Sequence, residues 1–235
     1  MNAKKIIALD IETAPLPKDV LMRVIQVGNA PANYKDPEKI AQWKRREFDK
    51  LVDKAALDPT TGELLAFGYQ LQGEQPMVFS QDDLINEEKL LELLWDTHRH
   101  YSMQGYGFAG VNFNGFDVYF AKIRSHILGV KVPLEICNKA YGNQAGCYEL
   151  SDWWFPFQRE NHNRISLDKM AKALGHAGKN GDGALFYKVF AENKTEAMDY
   201  LRNDLGMTRL CIDKLCPEDS VGFTDTPELL PINDA

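Results

Sequence analysis

Four carboxylates and a phenol stand at spacings suited to phosphate chemistry: Asp10 with Glu12 near the start, Asp117 in mid-chain, and Tyr200 with Asp204 near the end. Phosphodiesters are anionic, and their hydrolysis needs a water made nucleophilic and an alkoxide leaving group stabilised. Two divalent ions ~3.5–4 Å apart do both. All-oxygen ligands select hard ions, so Mg²⁺ or Mn²⁺ is expected ahead of zinc.

Such a centre requires elements that bring distant residues together. The run Lys5-Ile-Ile-Ala-Leu-Asp10-Ile-Glu12 predicts a buried strand, apolar and branched-rich, followed by Pro15 and Pro17. Strand alternation puts Asp10 and Glu12 on one face. An acidic pair of this spacing arises often by chance, but charges ending an apolar strand are costly unless paired or metal-bound. Asp117 follows a second strand candidate, 105–113, and opens a helical run of Phe116, Phe120, Ile123 and Ile127 that Gly129 ends. Read alone, Asp117 equally suits the positive end of that helix. Tyr200 and Asp204, four apart, share a helix face beside the stripe Leu201, Leu205, Thr208, Ile212 and Leu215, with Thr195 as the expected cap.

Between these, 14–57 interrupts the sheet pattern: a proline-bearing loop leads to a polar helix over 36–55 with sparse apolar positions Ile40, Trp43, Leu51 and Ala55. The basic triplet Lys44-Arg-Arg46 reads as a solvated helical face ahead of a nucleic-acid contact. The turn Asp58-Pro-Thr-Thr-Gly62 opens a hairpin of 64–71 and 75–80, and Leu90, Leu91, Leu94 and Trp95 predict a helix from 87. A strand is expected over 147–157, with Trp153, Trp154, Phe155 and Phe157 either core or base-stacking. Ser166 should cap a short helix.

The formal charge is -7, from 34 acidic and 27 basic residues, and lacks the basic footprint of a protein that coats duplex nucleic acid. It counts little against a nuclease, whose bound cations reverse the charge locally. No apolar run approaches the ~20 residues of a membrane span. No export signal is read at the start, so no membrane association, a cytoplasmic location and reduced cysteines at 137, 147, 211 and 216 are expected. His98 and His100 are expected exposed after a helix, outside any metal pattern.

Asp10-Ile-Glu12, Asn112-Phe-Asn-Gly-Phe-Asp117 and Tyr200-Leu-Arg-Asn-Asp204 together resemble the three motifs of DnaQ-like DEDD exonucleases, and a tyrosine four residues before the last aspartate marks the DEDDy branch. Pro31-Ala-Asn-Tyr-Lys-Asp-Pro37, the 58–62 turn and Gly178-Lys-Asn-Gly-Asp-Gly183 resemble predicted exonucleases related to the proofreading domain of family B DNA polymerases. Leu205-Gly206 departs from the valine that relatives carry after the last aspartate. A helical glycine costs about 1 kcal/mol relative to alanine, which puts local helix regularity in question.

The resemblance implies an α/β, RNase H-like fold: a mixed, twisted sheet of about five strands flanked by helices. One domain would span 1–216, with a helical insertion at about 14–57 and a loose tail at 217–235. It implies a two-metal 3′→5′ exonuclease acting most readily on single-stranded DNA and releasing nucleoside 5′-monophosphates. Asp10 would bridge both ions, Glu12 and Asp204 would bind the ion near the attacking water, and Asp117 would help through the other. Tyr200, with an ordinary pKa near 10, would orient that water ahead of deprotonating it. Asn112, Asn114, Phe116 and Lys179 are candidate substrate contacts, Lys179 meeting a phosphate from a loop whose glycines let backbone amides approach. A replication or repair polymerase is the implied protein partner. An RNA-directed exoribonuclease and a catalytically silent nucleic-acid-binding module remain the alternatives.

Overall fold

The structure, a computed structural model, describes residues 5–137, 146–155, 165–179 and 186–216, apart from the side chain of Asp53. The strands are β1 (Ile6–Pro15), β2 (Gly62–Gln70), β3 (Met77–Ser80), β4 (Gly107–Gly110) and β5 (Cys147–Glu149). The helices are α1 (Lys18–Val24), α2 (Pro37–Ala55), α3 (Gln81–Leu84), α4 (Glu87–Ser102), α5 (Asp117–Leu128), α6 (Leu134–Cys137), α7 (Leu150–Trp154), α8 (Leu167–Ala173), α9 (Phe186–Glu192) and α10 (Lys194–Leu215).

Apolar on both faces, β1 takes the middle of a five-stranded sheet ordered β3-β2-β1-β4-β5. The β1–β2 and β2–β3 pairs are antiparallel, as the expected hairpin requires, and β1–β4 and β4–β5 are parallel. Ile7, Leu9 and Ile11 pack with Leu90, Leu94, Trp95 and Phe120 beneath α4 and α5. Ile6 and Ala8 pack with Met170, Phe186, Leu201 and Leu205 beneath α8, α9 and α10. Strand parity therefore carries Asp10 and Glu12 toward the α10 side. The register shift between Glu12 and Thr13 comes only after both carboxylates have passed.

A buried ion pair closes the α4/α5 side. Arg124 donates from Nε and Nη2 to Glu87 Oε1 and Oε2 at 2.8 and 2.6 Å, and from Nη1 to the Pro59 carbonyl at 3.2 Å. Glu87 Oε1 also accepts the Leu64 amide at 2.7 Å. One bidentate pair thus ties α4 and α5 to the start of β2 and to the preceding turn.

Several elements differ from the sequence expectation. The 14–57 segment holds α1 as well as α2, and on α2 only Ala55 of the expected apolar positions is buried. The expected strand at 147–157 stops at Glu149 and turns into α7, because the Glu149 side chain accepts the Ser151 amide and caps a helix there. Trp153 and Trp154 are consequently half-buried helix residues packed on the α10 core, while Phe157 lies outside the described residues. Asn193, not Thr195, caps α10, its side chain accepting from the Glu196 amide. The helix runs unbroken through Gly206. His98 is buried, stacked on Phe108 at 5.0 Å between ring centroids, where an exposed position was expected. The 180–183 part of the glycine-rich loop and the expected tail lie outside the described residues.

Removing one partner of a buried ion pair strands the other charge, typically at a cost of 3–5 kcal/mol. Arg124→Ala should accordingly lower the unfolding free energy by about 3–5 kcal/mol in urea denaturation, and the double variant Arg124→Met/Glu87→Met should recover much of that loss.

Candidate metal centre

Three elements deliver the acidic residues. Asp10 and Glu12 come from the middle of β1, and Asp204 comes from α10, which crosses that face of the sheet. The close approach is set by Gly68, which lies opposite Asp10 on β2. A Cβ there would fall 2.6 Å from Leu205 Cδ1 and 2.9 Å from Val78 Cγ1, so only glycine lets the neighbour of Asp204 sit this low on the sheet. Arg209 holds the helix further along, donating to the Ile6 carbonyl and pairing with Asp213 at 2.7 Å. Carboxylate oxygens of Asp10, Glu12 and Asp204 all lie within 4.8 Å of one another.

Asp117 joins by another route. β4 pairs with β1 only along Ile6–Ala8, so the backbone of Ile11 lacks a strand partner on that side. Asp117, the first residue of α5, supplies one: its Oδ1 accepts the Ile11 amide at 3.1 Å. A buried backbone donor needs such a partner. Asp117 thereby sits against Asp10, close enough for their charges to interact. The loop before it holds Asn112 in a left-handed conformation (φ 59°), with its amide donated to Glu149 Oε1 at 2.8 Å. Asn112 and Phe116 are half-buried and Asn114 is exposed.

The acidic groups are poorly solvated. Burial, followed by the charge of Asp204, raises Asp10 to about 7. Burial and the charges of Asp10 and Asp204 push Glu12 well above the ordinary range. Burial and the charge of Asp10 do the same for Asp117. Burial also raises Asp204, although Lys179 and Tyr200 oppose the shift. Tyr200 is raised by burial and by the Asp204 charge, so the phenol keeps its proton at neutral pH.

Lys179 sits against this cluster. Its Nζ donates to the Tyr200 hydroxyl at 2.8 Å, pairs with Asp204 Oδ2, and lies 5.2 Å from the centre of the Tyr200 ring. The residue expected to meet a phosphate, Lys179, here has its head group on Asp204 and Tyr200. Asp168 on α8 accepts the Lys179 amide at 2.8 Å.

The residues fit a divalent ion. Every donor is an oxygen, and Asp204 Oδ1 is buried with no hydrogen-bond partner among the described residues. A carboxylate oxygen so placed is costly unless a cation or a proton reaches it. Sequence reasoning missed Glu149 and Asp168 as supports, since neither stands in a recognisable pattern. Their neighbours Asn112 and Lys179 were the nearest signal.

No protein-family model and no curated protein matches this chain. Among solved structures it is similar to that of the family B DNA polymerase from the hyperthermophilic archaeon Pyrobaculum calidifontis, with a TM-score of 0.53 at 15% identity. The likeness covers 89% of this chain and 24% of that one, so the chain spans about a quarter of the polymerase's length. Together with the mixed five-stranded sheet and its flanking helices, it defines the class as α/β with an RNase H-like fold. Asp10, Glu12 and Asp204 form a group within it that could hold a metal ion. Among the described residues no helix is long and apolar enough to cross a membrane.

The raised pKa of Asp10 means that the folded, metal-free protein retains a proton the unfolded chain gives up. The resulting penalty is absent below the ordinary carboxylate pKa, grows as pH rises, and is complete above about 7. Asp10→Asn should therefore raise the thermal midpoint of the metal-free protein by on the order of 10 °C above neutral pH, with the gain vanishing as the pH falls to about 4. Mn²⁺ should raise the midpoint of the wild type and not of the variant, as differential scanning fluorimetry would record.

Proposed function

We propose that this chain is a metal-dependent 3′→5′ exonuclease of the DEDDy type that removes nucleoside 5′-monophosphates from single-stranded DNA. The observation that carries the reading is the meeting of Asp10, Glu12 and Asp204 within 4.8 Å, with Asp117 hydrogen-bonded to the intervening Ile11 and Tyr200 alongside. Asp10, Glu12, Asp117 and Asp204 would hold two Mg²⁺ or Mn²⁺ ions. When bound, such ions lower the pKa of water and stabilise the leaving alkoxide.

The chain's own residues do the rest. Tyr200 stays a phenol and orients the attacking water through its hydroxyl. Phe116 and the exposed Asn114 at the α5 entrance offer stacking and hydrogen bonding to a terminal nucleotide. Lys179 supplies positive charge for a phosphate. The reading takes DNA ahead of RNA as substrate and a replication or repair polymerase as partner, and the likeness of fold to part of a DNA polymerase structure accords with action on nucleic acid. It also takes 1–216 as one catalytic domain and a cytoplasmic location.

The test is degradation of 5′-labelled single-stranded DNA and RNA with free or blocked 3′ ends. Laddering of DNA from free 3′ ends only, dependent on Mg²⁺ or Mn²⁺ and absent from Asp10→Ala/Glu12→Ala, is expected. Laddering of RNA alone would transfer the activity to an exoribonuclease, and degradation of neither under any metal would leave a binding module. Tyr200→Phe should slow turnover by up to about 10²-fold through a mispositioned water while leaving Mn²⁺ affinity unchanged in calorimetry.

A further inference from the structure

Among the described residues, the cation in contact with the acidic cluster is Lys179. Its ammonium occupies Asp204 Oδ2 and the Tyr200 hydroxyl at once, the two groups that the nuclease reading assigns to metal binding and water orientation. We propose that Lys179 is an internal counter-ion that holds the metal-free site and is displaced when divalent ions bind, so that its ammonium reaches substrate phosphate only in the loaded protein. This rests on the nuclease reading and adds to it an order of events: metal first, lysine out, phosphate next.

Charge makes the two occupants exclusive. A divalent ion held by Asp10, Glu12 and Asp204 brings twice the charge of an ammonium to the same carboxylates, and the two cations repel. Displacement also frees the Tyr200 oxygen from the hydrogen bond that Lys179 donates, so the phenol becomes available to a water in the same step.

Local structure limits what has to move. The Lys179 amide is tied to Asp168 Oδ1 at 2.8 Å, and Asp168 is paired with Lys172 at 2.8 Å. Gly178 adopts φ +99°, and a Cβ there would fall 2.2 Å from Lys172 Cε. The backbone is therefore held against α8, and the change falls on the flexible four-carbon stem of the lysine. A guanidinium, planar and preferring forked carboxylate contacts, would leave less readily.

Two measurements test this without substrate. Calorimetric titration with Mn²⁺ alone should show about tenfold tighter binding to Lys179→Met than to wild type, because the competing cation is gone. In the wild type, acylation of the Lys179 amine by an amine-reactive ester, read by peptide mass spectrometry, should rise at least about twofold when Mn²⁺ is added, as the head group leaves its buried contacts. Equal or weaker Mn²⁺ binding by the variant, or Lys179 acylation that is unchanged or falls with Mn²⁺, overturns the counter-ion role. Provided that the wild type binds Mn²⁺, the nuclease reading then survives. Failure of both proteins to bind Mn²⁺ overturns the two together.

Discussion

Gathering like charges where water is scarce is the constraint on which the rest of this structure turns. Asp10, Glu12, Asp117 and Asp204 are each held above their ordinary pKa, and burial is the largest cause in every case. No isolated helix or hairpin could hold such a group together against its own repulsion. The surrounding framework has to be rigid enough to impose the arrangement, and the centre β1, flanked on both faces by apolar clusters, provides that framework.

The two faces of the sheet contribute differently. On one, α4 and α5 are locked by the Arg124–Glu87 pair, which fixes α5 and with it the direction from which Asp117 enters. On the other, α10 must lie close enough to bring Asp204 over Asp10, a height set by the missing side chain of Gly68 and by Leu205 filling that space. Stability and chemistry are in tension at this point. The same proximity that could grip a cation leaves Asp204 Oδ1 without a hydrogen-bond partner among the described residues, while Lys179 relieves the charge on the other oxygen.

Much of this arrangement was legible in the sequence because it depends on short local patterns. The unbroken apolar run leading into Asp10 and Glu12, the stripe from Leu201 to Leu215 and the Asp58-Pro-Thr-Thr-Gly62 turn were enough to anticipate β1, α10 and the hairpin. The departures have local causes that such patterns do not encode. Glu149 ends β5 by capping α7, a side-chain hydrogen bond that overrides the strand preference of the aromatic residues after it. Asn193 takes the cap expected of Thr195 because both residue types serve that role. His98 is buried because α4 continues past it to Ser102, placing it on the face that meets β4. The inward reach of Lys179 toward Asp204 depends on a contact across 25 residues of sequence, and no spacing rule could reveal it.

The most direct test of the account is a crystal structure of the protein grown with Mn²⁺ and examined by anomalous scattering. Two peaks about 3.5–4 Å apart among Asp10, Glu12, Asp117 and Asp204, with the Lys179 head group withdrawn from Asp204, are predicted. Ordered Mn²⁺ elsewhere with none at these carboxylates, or an empty site at saturating Mn²⁺ with Lys179 still paired to Asp204, would contradict it.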